Sequence, residues 1–128
     1  MRDSKTQKGN DLAHRLAKYA GEILRVAADL PNSKEGRHVR DQLTRSGTAP
    51  GAHYAEARSA QSAPDFIHQV SLAAKEARES LHWLRTSSHA QYLDGDITPL
   101  AQEGEALAAI LTASLRTAQR NRSGGSDS

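Results

Sequence analysis

The sequence contains no cysteine, so it can form neither a disulfide framework nor a thiolate metal site. Aromatic residues make up only 4% of the 128 residues, and valine and isoleucine are few and scattered. A β-sheet favours β-branched and aromatic side chains, whereas an alanine-rich apolar sequence suits closely packed helices. The chain is therefore predicted to be all-α.

Long apolar runs are also missing. No stretch approaches the roughly 20 apolar residues that a helix needs to cross a bilayer. Residues 1–10 are polar and of mixed charge, unlike the apolar region of a signal peptide. We therefore expect a cytoplasmic, bacterial-type protein without a membrane partner.

Positive charge is absent from residues 86–115, which contain no Lys or Arg. The net charge is only +2, but residues 1–60 carry eleven Lys and Arg against seven Asp and Glu, and residues 116–128 are again basic. A basic region of this kind attracts nucleic acid, or it complements the acidic region of a second copy. A solvated surface of mixed charge explains the same pattern equally well.

Apolar periodicity and capping residues predict four helices. The first runs from about Asp11 to Asp29 and ends before Pro31, because a proline disfavours helix in the residue that precedes it. The second begins after Ser33, a suitable N-cap. Its residues 46–51 include two glycines and Pro50. This segment is expected to kink the second helix or to break it into two.

The third predicted helix has the clearest signals. Ser62 and Asp65 resemble a capping box, and a seam of apolar residues follows at alternating spacings of three and four. Its members are Ile67, Val70, Ala74, Ala77, Leu81 and Leu84. The fourth helix is predicted to begin at Thr98, with Pro99 in its first turn, and to continue to about Ala118.

Short connections between four amphipathic helices favour an antiparallel, up-down-up-down four-helix bundle with a kinked second helix. We predict that residues 11–120 form this bundle. Residues 1–10 are expected to be a flexible N-terminus, and the Ser/Gly-rich residues 121–128 a disordered tail.

Several short motifs resemble a known family. They are Leu30-Pro31, Gln42 to Thr48, Tyr54 to Ala57, Asp65 to Ile67, Lys75 to Glu79 and Trp83-Leu84, in this order. The chain is similar over Asp11 to Ala118 to the small four-helix-bundle proteins that intervening sequences in large-subunit ribosomal RNA genes encode. The accessory variability determinant of diversity-generating retroelements is similar to the same family.

The resemblance implies a ring-shaped homopentamer that binds nucleic acid and has no catalytic residues. It also implies a protein partner such as a reverse transcriptase. The chain departs from the family pattern at His53, where an asparagine is usual, and at Pro50, where a small or apolar residue is often found. The role of both positions is left open.

Histidines and carboxylates were considered as metal ligands, since helical bundles can hold two metal ions between Glu-x-x-His motifs. Glu79 and His82 match this motif, but they flank the apolar seam of the third helix. Catalytic glycine motifs and phosphate loops are also missing. We therefore expect no metal, no cofactor and no enzymatic activity.

Arginine binds phosphate well because its planar fork donates two hydrogen bonds at once. Clustered cations on the first, second and fourth helices are therefore candidates for binding nucleic acid. They are Arg15, Lys18, Lys34, Arg37, Arg40, Arg45, Arg116 and Arg120. Interleaved carboxylates make a solvated face an alternative for each of them.

These observations predict a homo-oligomeric, pentameric scaffold or adaptor that binds DNA or RNA electrostatically, accessory to a reverse transcriptase. The alternative is a protein-interaction module without a nucleic-acid role, and the least favoured is a metal-dependent enzyme. Ala52, Ala55 and Ala57 beside Tyr54 are predicted to form the subunit interface, and Trp83 is predicted to be largely buried with its indole N–H bonded.

Overall fold

The computed structural model describes residues 4–126. It contains four helices: α1 (Ser4–Ala28), α2 (Lys34–Arg58), α3 (Ala63–His89) and α4 (Thr98–Ser126). Consecutive helices pack against each other through short connections, and α4 returns to contact α1. Within the described residues the fold is all-α, which confirms the predicted four-helix bundle. Residues 1–3 and 127–128, which belong to the two predicted terminal segments, lie outside the described part.

The helix starts follow from local capping. Ser33 Oγ accepts a hydrogen bond from Gly36 N (3.0 Å), and Ser62 Oγ accepts one from Asp65 N (3.3 Å), so both predicted caps are confirmed. At the start of α4, Thr98 N donates to Asp96 Oδ1 (2.9 Å). A hydrogen bond from the Thr98 side chain, together with this backbone one, lowers the pKa of Asp96. The capping side chain of α4 is therefore Asp96 and not Thr98.

The first and last helices are longer than the sequence indicated. α1 begins at Ser4 instead of Asp11, and Gln7 Nε2 donates to Asp11 Oδ1 (2.9 Å) across one turn. Lysine and glutamine are good helix formers, so they extend the helix before its apolar stripe starts. α4 likewise continues to Ser126, beyond the predicted end. Whether the terminal turns are flexible stays a prediction.

The Gly- and Pro-containing segment does not divide α2, which is one continuous helix through the buried Pro50. Proline has no amide hydrogen for the carbonyl one turn earlier. Two hydroxyls in this segment bond to backbone: Ser46 Oγ donates to the Gln42 carbonyl (2.7 Å) and Thr48 Oγ1 to the Thr44 carbonyl (2.8 Å), a contact that bends helices. Of the two alternatives expected for this segment, a break into two helices is therefore wrong, and a kink stays a prediction.

Close helix packing explains the glycine at position 47. A Cβ atom at Gly47 would lie 2.5 Å from Ile23 Cγ2 of α1, so only glycine allows α1 and α2 to approach this closely. Ile23 and Leu43 are both fully buried in the core. The segment thus places α1 against α2.

Tyr19 is the largest of the fully buried side chains, although it is not part of the apolar stripe that the sequence of the first helix predicts. The members of that stripe are Leu12, Leu16, Ala20, Ile23, Ala27 and Leu30. Its hydroxyl forms a 2.8 Å hydrogen bond with the buried Ser80 Oγ of α3. Burial raises the pKa of Tyr19. A Cβ atom at Gly104 of α4 would lie 2.7 Å from this hydroxyl, so Tyr19 joins α1, α3 and α4 at one point.

Trp83 is partly buried and packs against the edge of the core. The seam of α3 passes through Leu81 and Leu84, and Trp83 lies to one side of it. Its Nε1 donates to Glu79 Oε1 (3.4 Å), so the expected hydrogen bond is present. The rings of His38 and His82 meet the indole edge-on at 5.6 and 4.8 Å.

Candidate nucleic-acid interface

The eight cations predicted to bind nucleic acid do not lie on one surface. Because the helices are antiparallel, the start of α2 lies at one end of the bundle and the end of α4 at the other. Lys34, Arg37 and Arg40 lie near the first end, Arg15, Lys18 and Arg45 in the middle, and Arg116 and Arg120 toward the second end.

Arg40 caps the end of α1 instead of extending into solvent. Its Nη2 donates to the Leu30 carbonyl (2.6 Å) and its Nε to the Ala27 carbonyl (3.3 Å). The last carbonyls of a helix have no partner within the helix, so a guanidinium at this place stabilises the helix end. The structure gives Arg40 a role in the fold.

Arg45 and Arg15 form ion pairs within the bundle. Arg45 contacts Glu76 (2.7 Å) and Glu79 (2.6 Å) of α3. Arg15 binds both carboxylate oxygens of Glu103 on α4, at 2.6 and 3.0 Å. The hydrogen bond from Arg15 lowers the pKa of Glu103. Each of these arginines has its charge matched by a neighbouring carboxylate, which does not favour a role in phosphate binding.

Lys34 and Arg37 are exposed at the start of α2. Arg37 Nη1 donates to the backbone carbonyl (3.2 Å) and the side-chain oxygen (3.3 Å) of Asn32. Acidic residues surround this end of the bundle, among them Asp29, Asp94 and Asp96. The charge at this end is therefore mixed.

Six cations gather at the opposite end, where α1 begins and where α2 and α4 end. We call this surface the basic end, and it consists of Lys5, Lys8, Arg58, Arg116, Arg120 and Arg122. All six residues are exposed. Arg116 and Arg120 line a shallow depression of about 470 Å³ together with Gln119 and Ser123.

Fewer carboxylates accompany these cations. Of the described residues, Asp11, Glu56 and Asp65 are the acidic ones near this end, and Asp11 already accepts a hydrogen bond from Gln7. A local excess of positive charge attracts a polyanion and concentrates it near the surface. The basic end is therefore the part of the described chain best suited to phosphate groups.

Sequence analysis missed Lys5, Lys8 and Arg58 as members of this surface. Lys5 and Lys8 fall in the segment that was assigned to a flexible N-terminus, and Arg58 stands alone at the end of its helix. The antiparallel order of the helices brings these residues together from distant parts of the chain. Arg58 Nη2 donates to Asn10 Oδ1 (2.9 Å), which fixes the end of α2 beside α1.

Glu79 and His82 do not form an ion site together. Glu79 accepts hydrogen bonds from Arg45 and Trp83, and His82 is exposed against the indole. Within residues 4–126 no group of three His, Cys, Asp or Glu side chains is arranged to hold a metal. His53 Nδ1 lies 3.0 Å from Gln69 Oε1, so this departure from the family pattern links α2 to α3.

No helix in the described part of the chain has the length and apolar character to span a membrane.

These features define a small antiparallel four-helix-bundle protein with one basic end. The chain belongs to the 23S rRNA-intervening sequence protein family, whose model matches residues 8–113. This finding confirms the resemblance that the sequence motifs indicated.

A solved structure supports the same assignment. The chain is similar to a protein with unknown function from the S23 ribosomal protein family of Bacteroides thetaiotaomicron, with 27% sequence identity and a TM-score of 0.77. The similarity covers 85% of this chain and 98% of that protein. No curated protein matches the chain.

Proposed function

We propose that this protein is a homo-oligomeric helical scaffold that binds nucleic acid through phosphate groups at its basic end. The proposal rests on one observation. Six exposed cations from three helices lie at this end of the bundle, and only three carboxylates of the described residues lie near them. Phosphate contacts position a nucleic acid without reading its sequence. We therefore propose binding with little sequence preference.

The aromatic residues support the same kind of binding. Proteins that hold single strands by stacking need exposed aromatic rings. Tyr19 and Tyr54 are 2% and 7% exposed, and Phe66 and Trp83 are partly buried against the core. Electrostatic attraction is thus the main source of affinity in this proposal.

Oligomer formation is proposed because a weak charged patch gains avidity when several copies present it together. The interface suggested by the sequence needs revision, because Tyr54 and Ala57 are buried within the protomer while Ala52 and Ala55 are exposed. Another side of the bundle offers small residues at helical spacing around the exposed Leu24. The small residues are Ala17, Gly21 and Ala28, and together with Leu24 they form one face of α1.

We propose this face of α1 as the contact between subunits of a pentamer. Leu24 is 48% exposed, and the small residues around it would let a second helix approach closely. Light scattering of Leu24→Glu should give a smaller mass than that of the unmodified protein. Ile110→Glu, which changes the other exposed large hydrophobic residue of the described part, is the matched control. An unmodified protein that is monomeric at micromolar concentration would contradict the oligomer.

Nucleic-acid binding is tested by charge reversal at the two ends of the bundle. Arg116→Glu with Arg120→Glu should weaken binding of duplex DNA and RNA about equally on all sequences. The logarithm of affinity should fall with the logarithm of salt concentration by about 0.9 per neutralised phosphate on duplex DNA, and the double variant should flatten this slope. Lys34→Glu with Arg37→Glu is the matched control at the opposite end and should change both quantities much less.

The outcome distinguishes this proposal from its alternative. An affinity that is independent of salt and of both double variants would mean that the basic end is a solvated surface. The protein would then be a protein-interaction module without a nucleic-acid role. Association with a reverse transcriptase belongs to the same proposal, and a copurification assay with the basic-end variants tests it separately.

A further inference from the structure

A groove opens between α1 and α4 beside the basic end. It has a volume of about 490 Å³, and side chains from all four helices line it. They are Lys5, Thr6, Lys8, Gly9, Leu12, Tyr54, Arg58, Phe66, Ile110 and Ser114. Residues 5–12 of α1 and Ile110 and Ser114 of α4 form its two walls.

The inside of the groove is apolar. Leu12 and Tyr54 form part of the core, with 9% and 7% of their surfaces exposed, and Phe66 packs against them. Ile110 lies at the wall and is 37% exposed. An exposed aliphatic side chain beside a concave apolar surface is typical of a place where another molecule binds.

The rim of the groove is positively charged. Lys5 and Lys8 lie on the α1 side, and Arg58 lies 6.0 Å from the centre of the Tyr54 ring. Gly9 leaves room for this guanidinium, since a Cβ atom there would lie 3.1 Å from Arg58 Nη2. None of the described residues that line the groove is acidic. The groove is therefore complementary to a ligand that is apolar on one side and acidic at its edges.

We infer that this groove binds an amphipathic, acidic helix of a partner protein. Such a helix places apolar residues at positions i, i+3 or i+4 and i+7 into a groove. Its aspartate or glutamate residues would meet Lys5, Lys8 and Arg58. Nucleic-acid bases fit less well, because the Tyr54 ring is buried and the other walls include the aliphatic Leu12 and Ile110. The inference does not depend on the proposed binding of nucleic acid.

Selection from a peptide display library tests the inference on the full-length protein. The library contains amphipathic helices of about 18 residues with fixed leucines at groove-binding spacing and with Glu, Lys or Ser at the flanking positions. Selection on the unmodified protein, followed by depletion on Ile110→Glu, should enrich peptides with glutamate at the flanks. No enrichment over Ile110→Glu, or enrichment of lysine, would overturn the inference.

Fluorescence anisotropy of an enriched peptide then locates the contact. Ile110→Glu should weaken binding at least about tenfold, as expected for an apolar residue at the centre of an interface. Gln102→Glu, which adds a carboxylate on the exposed surface of α4 at the other end of the bundle, should leave affinity within about twofold. Lys5→Glu with Lys8→Glu should weaken binding of the glutamate peptide. The same double variant should strengthen binding of a peptide in which lysine replaces each glutamate.

Two other occupants give distinct results, and each would overturn the inference. If a second copy covers the groove, Ile110→Glu will reduce the mass of the oligomer. If nucleic acid occupies the groove, Ile110→Glu will reduce the affinity for duplex or single-stranded oligonucleotides. The inference requires that Ile110→Glu leave both the mass and the oligonucleotide affinity unchanged.

Discussion

The same two helices, α1 and α4, meet closely in one half of the bundle and separate in the other. In the closed half, Tyr19 of α1 lies against Gly104 of α4, and Arg15 pairs with Glu103 one turn away. In the open half, residues 5–12 of α1 and Ile110 and Ser114 of α4 form the walls of the groove. The bundle is therefore sealed where the core tyrosine is bonded and open beside the basic end.

The difference comes from the size of the residues that face each other. Gly104 has no side chain, so α4 can approach until Tyr19 and Leu81 would contact any added Cβ atom at 2.7 and 2.9 Å. In the open half, aliphatic Leu12 and Ile110 line the groove, and Tyr54 and Phe66 of the other two helices lie within it. The two helices α1 and α4 therefore meet where Gly104 faces Tyr19.

Gly104→Ala should produce the largest loss of unfolding free energy, because the added methyl group lies in the closed half, where α1 and α4 are in contact. The new Cβ atom would force Tyr19 or Leu81 to move within a packed core, and such overpacking costs about 1–3 kcal/mol. The free energy of unfolding from urea denaturation measures the loss. Gly124→Ala of the same helix is the matched control, since nothing lies within 4 Å of its added Cβ atom, and it should not destabilise the protein. Equal losses from the two alanines would show that the Tyr19 contact is unimportant.

Tyr19→Phe should have the next largest effect. It removes the hydrogen bond to Ser80 and should lower the free energy of unfolding by about 1 kcal/mol. In the Gly104→Ala background the same change removes the atom that lies closest to the new methyl group, so the two losses should not add. If the two losses of unfolding free energy add, then removing the Tyr19 hydroxyl does not relieve its contact with the Cβ atom added at position 104. Tyr92→Phe, at a half-buried tyrosine of the 90–97 connection, is the control.

Gly9→Ala should show the opposite sign from Gly104→Ala, because it lies in the open half. The three atoms nearest the added Cβ atom would belong to the guanidinium of Arg58, an exposed side chain that can move aside. Alanine is more favourable than glycine within a helix by up to about 1 kcal/mol, so the protein should become slightly more stable. A melting temperature below that of the unmodified protein would mean that the open half is packed as tightly as the closed one.

Glu103→Gln should have the smallest effect, and this effect should depend on pH. Arg15 lowers the pKa of Glu103 in the folded protein, so the ion pair contributes its full stability above the ordinary pKa of glutamate. The contribution fades as the pH falls through the lowered value. Both side chains are partly exposed, and such pairs contribute about 0–1 kcal/mol. Urea denaturation should therefore separate the two proteins near neutral pH, and the difference should vanish in acid.

Most of the fold could be predicted from local signals. Ser33 and Ser62 start helices because their side chains satisfy free amides, and the seam from Val70 to Leu84 faces the core because its spacing matches a helix. The burial of Tyr19 was not predicted. Whether a residue at the edge of an apolar stripe is buried depends on the neighbouring helix, and the sequence of one helix does not contain that information.

The family assignment also came from sequence, since the order of short motifs indicated it and the family match over residues 8–113 confirms it. The basic end could be predicted only in part. Arg116 and Arg120 were identified as cations on one helix, but Arg15, Arg40 and Arg45 could not be distinguished from them before their carboxylate and carbonyl partners were known. The sequence shows which residues are charged, but only the fold shows which of them have a carboxylate or carbonyl partner.

The sequence by itself determined the class of the fold, the family and the positions of the helices, because periodicity, capping and turn chemistry act between residues close in the chain. Tertiary structure alone decided which cations are paired, where α1 and α4 close, and where the groove opens. These features depend on contacts between residues as distant as Arg15 and Glu103, or Lys5 and Ser114. Such pairs are brought together only when four antiparallel helices pack around one core.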